Sequence, residues 1–272
     1  MTGGSDRLGL TMAVMAALCV AVSSALVLAQ GPPGGRGGRG GGPPRPARQA
    51  APVDLTGYWV SVVTEDWRWR MLTPARGDFA GLPLTPAARQ IGLEWDPARD
   101  AAGGQACRAF GAPAIMRIPG RVQITWQDDQ TLKIETDAGM QTRLLRFAGP
   151  APAGSAPSWQ GHSAARWEPA MRGPGAPDPI PIALNPRVGT GGRALEVVTT
   201  NLRPGYLRAN GAPYSARTTV REYFDVFTVG DVPWFTVTTI VEDPEYLTTP
   251  YVTSSNFRKQ GDATGWNPAA CS

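Results

Sequence analysis

The amino-acid sequence predicts an all-β fold, a single antiparallel barrel or curved β-sandwich that carries one short helix. Three observations lead there. Apolar and polar residues alternate with a period of two over many short segments, turn residues separate those segments, and no proline-rich break with a fresh core on each side interrupts residues 54–272.

The alternation is plainest between Arg121 and Phe147. Val122, Ile124 and Trp126 alternate with Arg121, Gln123 and Thr125 in a strand that stops at Asp128-Asp129-Gln130. Leu132, Ile134 and Thr136 then alternate with Thr131, Lys133 and Glu135, and Asp137-Ala138-Gly139 is the kind of turn that joins hairpin strands. A third strand over Met140–Phe147 completes an antiparallel meander. Further strands are expected over Gly161–Glu168, Ala194–Thr200, Thr218–Thr228, Trp234–Glu242 and Tyr251–Arg258, all rich in β-branched and aromatic residues. Helical signal is confined to one place, where Thr85 caps, Pro86 fits the first turn and Ala87–Glu94 supply two turns. With about ten strands, closure or strong curvature is the way to remove exposed edges.

The folded domain is expected over residues 54–272, starting at the first strand, "DLTGYW" (Asp54–Trp59). Two segments precede it. Arg7 and the charge-free run Leu8–Ala29 have the order of a secretory signal over residues 1–29, with Val27 and Ala29 at the small-residue positions of a cleavage site. The run is also long enough to serve as an uncleaved anchor. Leu18 before Cys19 is too large for a lipoprotein signal. Residues 30–53, rich in Gly, Pro and Arg, have almost nothing to bury and read as a disordered linker.

Residues 1–53 hold five arginines against one acid, Asp6, which accounts for the whole chain's net charge of +4 and leaves the folded part neutral. A nucleic-acid reader needs a basic face on its folded part, so that partner is not expected. Cys107 and Cys271 are the two cysteines of the folded part, and in a periplasmic or extracellular setting they read as one disulfide.

Gly57-Tyr58-Trp59 resembles the start of lipocalins and related calycin barrels. That resemblance implies that Trp59 closes one end of a barrel and packs against a basic residue of the last strand, for which Arg258 in "NFRK" is the candidate. The stretches "DLTGYW", "IMRIPGRVQITWQDD", "GHSAARWE", "ALEVVTTNL", "REYFDVF" and "TTIVEDPEYLTTPY" resemble a group of uncharacterised secreted bacterial β proteins. The chain departs from that group's pattern at Leu202, at Glu222-Tyr223-Phe224, at Glu242-Asp243-Pro244 and in a long Arg172–Arg193 insertion. The resemblance implies fold and export and carries no activity.

The single histidine, His162, cannot supply the two or three nitrogen or sulfur ligands of a zinc or iron site, so neither metal nor cofactor is expected. Ser163 beside it points to the opposite face of a strand, and no Gly-x-Ser-x-Gly elbow exists, which argues against a serine hydrolase. His162, Arg166 and Glu168 share one strand face, and Glu135 and Arg143 are read opposite the apolar rows of the meander. Inward, these rows would line a polar pocket; outward, they would be a solvated sheet face. In "TEDWRWRM", Trp67 and Trp69 fall on one side and Arg68 and Arg70 on the other, a pattern suited to a sugar, lipid headgroup or aromatic ligand and equally to packing. Glu222, Glu242, Asp243 and Glu245 are candidate carboxylates for acid-base work, and Asp243-Pro244 reads as a turn. Three functions stay open: a small or amphipathic ligand, lipid or sugar bound without catalysis; a carboxylate-dependent enzyme acting on carbohydrate or lipid; and an envelope structural or interaction protein.

Overall fold

The computed structural model describes residues 45–149, 154–168 and 194–271. The signal segment, residues 30–44 and the Arg172–Arg193 insertion lie outside the described residues. Nine strands close into a barrel: β1 (Gly57–Val62), β2 (Arg121–Asp128), β3 (Thr131–Thr136), β4 (Thr142–Arg146), β5 (His162–Trp167), β6 (Ala194–Thr200), β9 (Thr219–Val229), β10 (Val232–Glu242) and β11 (Tyr251–Gln260). A small hairpin, β7 (Gly205–Arg208) with β8 (Ala212–Tyr214), stands outside it. The order around the barrel is β1-β11-β10-β9-β6-β5-β4-β3-β2, and β2 returns to pair with β1. The expected all-β barrel is therefore present.

An odd number of strands cannot close with every pair antiparallel, so one pair must be parallel. It is β4 with β5, where Leu145 faces Ser163 and Arg146 faces Ala164. The chain between them, residues 147–161, is long enough to return to the starting edge, as a parallel connection demands. Elsewhere the meander and the β9–β10 hairpin give antiparallel ladders in which facing residues share a side of the sheet.

The inward rows fill the barrel. Trp59, Ile124, Ile134, Leu195, Val197, Phe224, Phe235 and Val237 are wholly inaccessible to water, so no water-sized void adjoins them. Phe235 stacks on Phe257 and meets Trp59 edge-on, with ring centres 4.6 Å and 4.9 Å apart. Toward the other end, each of three neighbouring strands runs from this apolar cluster through a polar position to a second cluster: Phe224, Glu222, Val220 on β9; Val237, Thr239, Val241 on β10; Phe257, Thr253, Tyr251 on β11. The polar layer between the two clusters includes Arg143, Ser163 and Thr199.

A cap covers the second cluster. It is built from the connection 63–120 between β1 and β2, from the β7–β8 hairpin and from the β10–β11 turn. The connection contains α2 (Trp67–Arg70), α3 (Pro86–Leu93), α4 (Pro97–Ala102), a 3₁₀ turn (Ala106–Phe110) and α5 (Ala112–Ile115), and α1 (Ala47–Ala50) precedes β1. The expected helix is α3, with Thr85 accepting from the Ala88 amide at 3.3 Å and Pro86 in its first turn. The other four short helices correct the expectation of one: each lacks the length to show a period of 3.6 and is held by tertiary contacts. Thr85 and Thr248 cross-link the cap to the β10–β11 turn through the Tyr246 and Pro83 carbonyls. In that turn, Asp243 accepts from the Ser215 amide at 2.6 Å, the Ser215 and Thr218 hydroxyls, and the Glu245 and Tyr246 amides. Burial works to raise the Asp243 pKa, but these bonds outweigh it and hold the carboxyl below its ordinary value.

Residues 45–53, a linker by composition, pack onto the barrel. The Ala47 amide reaches Gln130, its carbonyl accepts from the Trp167 indole at 2.9 Å, and the Arg48 amide bonds the Asp129 carbonyl. Cys107 and Cys271 are joined, with Cα atoms 5.1 Å apart and a sequence separation of 164. The bridge ties the chain's end to the 3₁₀ turn and the β3–β4 hairpin, where Ala269 pairs with Ala138. Gly139 in that hairpin is held at φ +75°, and a Cβ there would lie 2.2 Å from the Phe110 ring.

Candidate functional site

The expected site residues do not form one pocket. His162, Arg166 and Glu168 alternate with Ser163, Ala165 and Trp167, which are the inward row of β5, so the histidine row faces outward. Arg166 and Arg221 both donate to Glu196 on the outer wall, and the Arg166 bond is the first reason that carboxyl sits below its ordinary value, against the opposing effect of burial. Burial and the neighbouring Arg146 charge lower the His162 pKa below its ordinary value. Glu135 also faces outward and pairs with Lys133 at 2.8 Å.

Arg143 is a correction. It faces Ile134 across the β3–β4 ladder and shares the inward row with Leu145, so it lies in the apolar row. Its two terminal nitrogens donate to Glu222 at 3.0 and 2.5 Å, and one also reaches Thr199. Both side chains of the Arg143–Glu222 pair are fully buried, which makes it an internal support. Arg258 is a second correction. Trp59 lies opposite Lys259, whose ammonium sits 4.5 Å from the indole centre and donates to the Thr56 carbonyl, whereas Arg258 faces outward opposite Val60. The tryptophan-to-base contact exists one residue further along, because adjacent strand residues point to opposite faces.

"TEDWRWRM" is a third correction. It forms a helical turn, α2, so strand-type alternation does not apply. Trp67 and Arg68 are exposed, Trp69 is half-buried and Arg70 is 7% exposed. Asp66, at φ 51°, turns the chain into this helix and directs its carboxylate to the Arg117 guanidinium at 3.0 Å.

Arg70, Arg117 and Arg208 come together at the rim of the barrel with Trp69 and Tyr251. Arg70 donates through Nε to the Arg117 carbonyl at 2.9 Å and through Nη1 to Glu65 at 2.6 Å. Arg208, from β7, donates to the Ala80 carbonyl at 2.7 Å and stacks over Trp69, 5.2 Å from its centre. Arg117 lies 5.7 Å from the Tyr251 ring centre. All three arginines are at most 7% exposed. Nonetheless Arg70 Nη2, Arg117 Nη2, Arg208 Nε, the Trp69 indole N–H and the Tyr251 hydroxyl have no hydrogen-bond partner among the described residues. Burial holds the Arg70 pKa below its ordinary value; Glu65 offsets part of that, and the like charge of Arg117 adds to it.

Two recesses open on this group. One, of 240 Å³, is lined by the three arginines and Trp69 together with Leu72, Phe110, Ile118 and Leu207. The other, of 520 Å³ and shallower, lies between Trp69, Arg208, Asp66 and Tyr251. Donors of this kind suit an anion: buried guanidinium N–H groups with a missing partner gain from charge-assisted hydrogen bonds. Among the described residues, no group of three or more His, Cys, Asp or Glu is arranged to hold a metal ion. Of the five residues that carry unengaged groups here, only Trp69 was a sequence candidate. The available signal was a lone arginine inside an apolar run, as in Met116-Arg117-Ile118 and Leu207-Arg208-Ala209. No family model, curated protein or solved structure matches the chain.

Proposed function

We propose that the protein is an exported, non-catalytic binder of a small anionic molecule, held at the arginine-lined cleft on the barrel rim. The observation that carries this reading is the set of unengaged N–H groups on Arg70, Arg117 and Arg208, each on a residue at most 7% exposed and lining an open recess. A natural protein rarely leaves buried charged donors without partners, and a ligand that supplies acceptors removes the cost. The filled barrel interior supports a rim site over a lumen site. The cleft's acids, Glu65 and Asp66, are engaged by Arg70 and Arg117, and His162 lies on the outer wall, which supports binding over acid-base chemistry. The Leu8–Ala29 run and the Cys107–Cys271 bridge support an oxidising compartment.

The test is native mass spectrometry of the full chain from an oxidising compartment, beside its denatured mass, with calorimetric titration by acetate, benzoate and inorganic phosphate at low salt. A removable acidic adduct, or heat of binding that disappears in Arg117→Gln, supports the reading. A bare mass with no heat from any of the three anions contradicts it.

A further inference from the structure

The anion-binding reading leaves the chemical class of the ligand open, and the inference below rests on that reading. We infer that the ligand is an amphipathic monocarboxylic acid, its carboxylate held by Arg70 and Arg117 and its single ring or short chain laid along Leu72, Phe110 and Ile118.

Charge sets the first constraint. The titratable groups that line the recesses are the guanidinium groups of Arg70, Arg117 and Arg208, the Asp66 carboxylate and the Tyr251 phenol, and the Glu65 carboxylate pairs with Arg70 beside them. Three cations against two anions leave one positive charge, since Asp78 nearby is turned to the exposed Arg68. A single negative charge neutralises the site, and a phosphate dianion overcompensates it. The donor count agrees, because Arg70 and Arg117 each keep one buried terminal nitrogen without a partner and a carboxylate brings two acceptor oxygens.

The walls set the second constraint. Apart from its arginines and Thr73, the 240 Å³ recess is lined by apolar and aromatic side chains, and Leu72 stands 68% exposed at its edge. A sugar or inorganic anion leaves that apolar surface wet; a ring or short alkyl body covers it. Size sets the third constraint. At 240 Å³ the recess falls below the range of about 300–1,000 Å³ that drug-sized ligands fill. A long-chain fatty acid or a nucleotide does not fit inside it.

The experiment is calorimetric titration of the full, disulfide-bonded chain at low salt with 3-phenylpropionate, its uncharged amide 3-phenylpropanamide, acetate and inorganic phosphate. The expected result is binding of 3-phenylpropionate about tenfold or more tighter than acetate, since one buried ring exceeds the 1.4 kcal/mol that a factor of ten requires, and tighter than the amide, whose neutral head lacks the charge-assisted bonds to the guanidinium groups. Arg117→Gln removes the preference for acid over amide. Leu72→Asn, on an exposed side chain whose replacement leaves the fold alone, weakens 3-phenylpropionate and leaves acetate unchanged. Phosphate binding without 3-phenylpropionate binding overturns the monocarboxylate class and leaves the anion site standing. Equal binding of acid and amide overturns the charge argument, and silence from every anion overturns both readings.

Discussion

Arg143 and the three rim arginines share a side chain and a degree of burial, and they differ in what surrounds the guanidinium. Inside the barrel Arg143 meets a fully buried carboxylate with both terminal nitrogens. Its Nε also lacks a partner among the described residues, yet Arg143 lies in the layer between two apolar clusters and lines neither recess. At the rim, Arg70 and Arg117 each give one terminal nitrogen to a carboxylate that is itself 29% or 38% exposed, and each keeps another buried without a partner on a residue that lines a recess. The same chemistry closes a structural pair in one place and leaves donors without partners in the other. Burial of a charge alone does not mark a site; incomplete pairing beside open space does.

The largest test of this contrast is in the barrel. Arg143→Met leaves Glu222 without its partner between two apolar clusters and should destabilise by about 3–5 kcal/mol in urea unfolding. The double variant Arg143→Met, Glu222→Leu should recover most of that loss, as replaced buried pairs do. Next, Cys107→Ser should cost about 2–5 kcal/mol, because the bridge closes a loop of most of the folded chain. Loosening the 3₁₀ turn should also weaken anion binding, since Ala109 and Phe110 line the smaller recess.

Asp243→Asn comes third, at about 2–3 kcal/mol for the loss of charge on a buried five-bond acceptor. The folded pKa of Asp243 is depressed, so its contribution is fully present above the unfolded value near 4 and is lost as pH falls through the folded value. Wild type should therefore lose stability progressively below about pH 4, and Asp243→Asn should lose less over that window. The smallest stability effect belongs to the rim. Arg70→Gln or Arg117→Gln should shift stability by about 1 kcal/mol or less, because Glu65 and Asp66 stay in reach of water. The same variants should abolish anion binding in titration calorimetry. A large stability loss there, without a binding loss, would make the rim arginines structural like Arg143.

The strands were legible because a period of two survives in sequence. Ala194–Thr200 matches β6 residue for residue, and the Thr85 cap identifies α3. Phase was harder to read than existence. Arg143 occupies an inward position that only the Ile134 register reveals, and Lys259 stands in the place assigned to Arg258 for the same reason. The parallel β4–β5 pair follows from counting strands around a closed ring, which requires knowing that the ring closes. The cleft was least legible. Arg70, Arg117 and Arg208 come from a one-turn helix, the turn after α5 and a hairpin outside the barrel, and no local pattern links them. Strand alternation imposed on Trp67–Arg70 also turned Arg70 to the wrong side.

The most direct measurement follows the arginine side-chain ¹H–¹⁵N signals of the full chain while 3-phenylpropionate and then inorganic phosphate are added at low salt. The account predicts saturable shifts in the guanidinium signals of Arg70, Arg117 and Arg208, with Arg143 unmoved as an internal reference. Rim signals that stay fixed under both anions, or that move no more than Arg143, would contradict it.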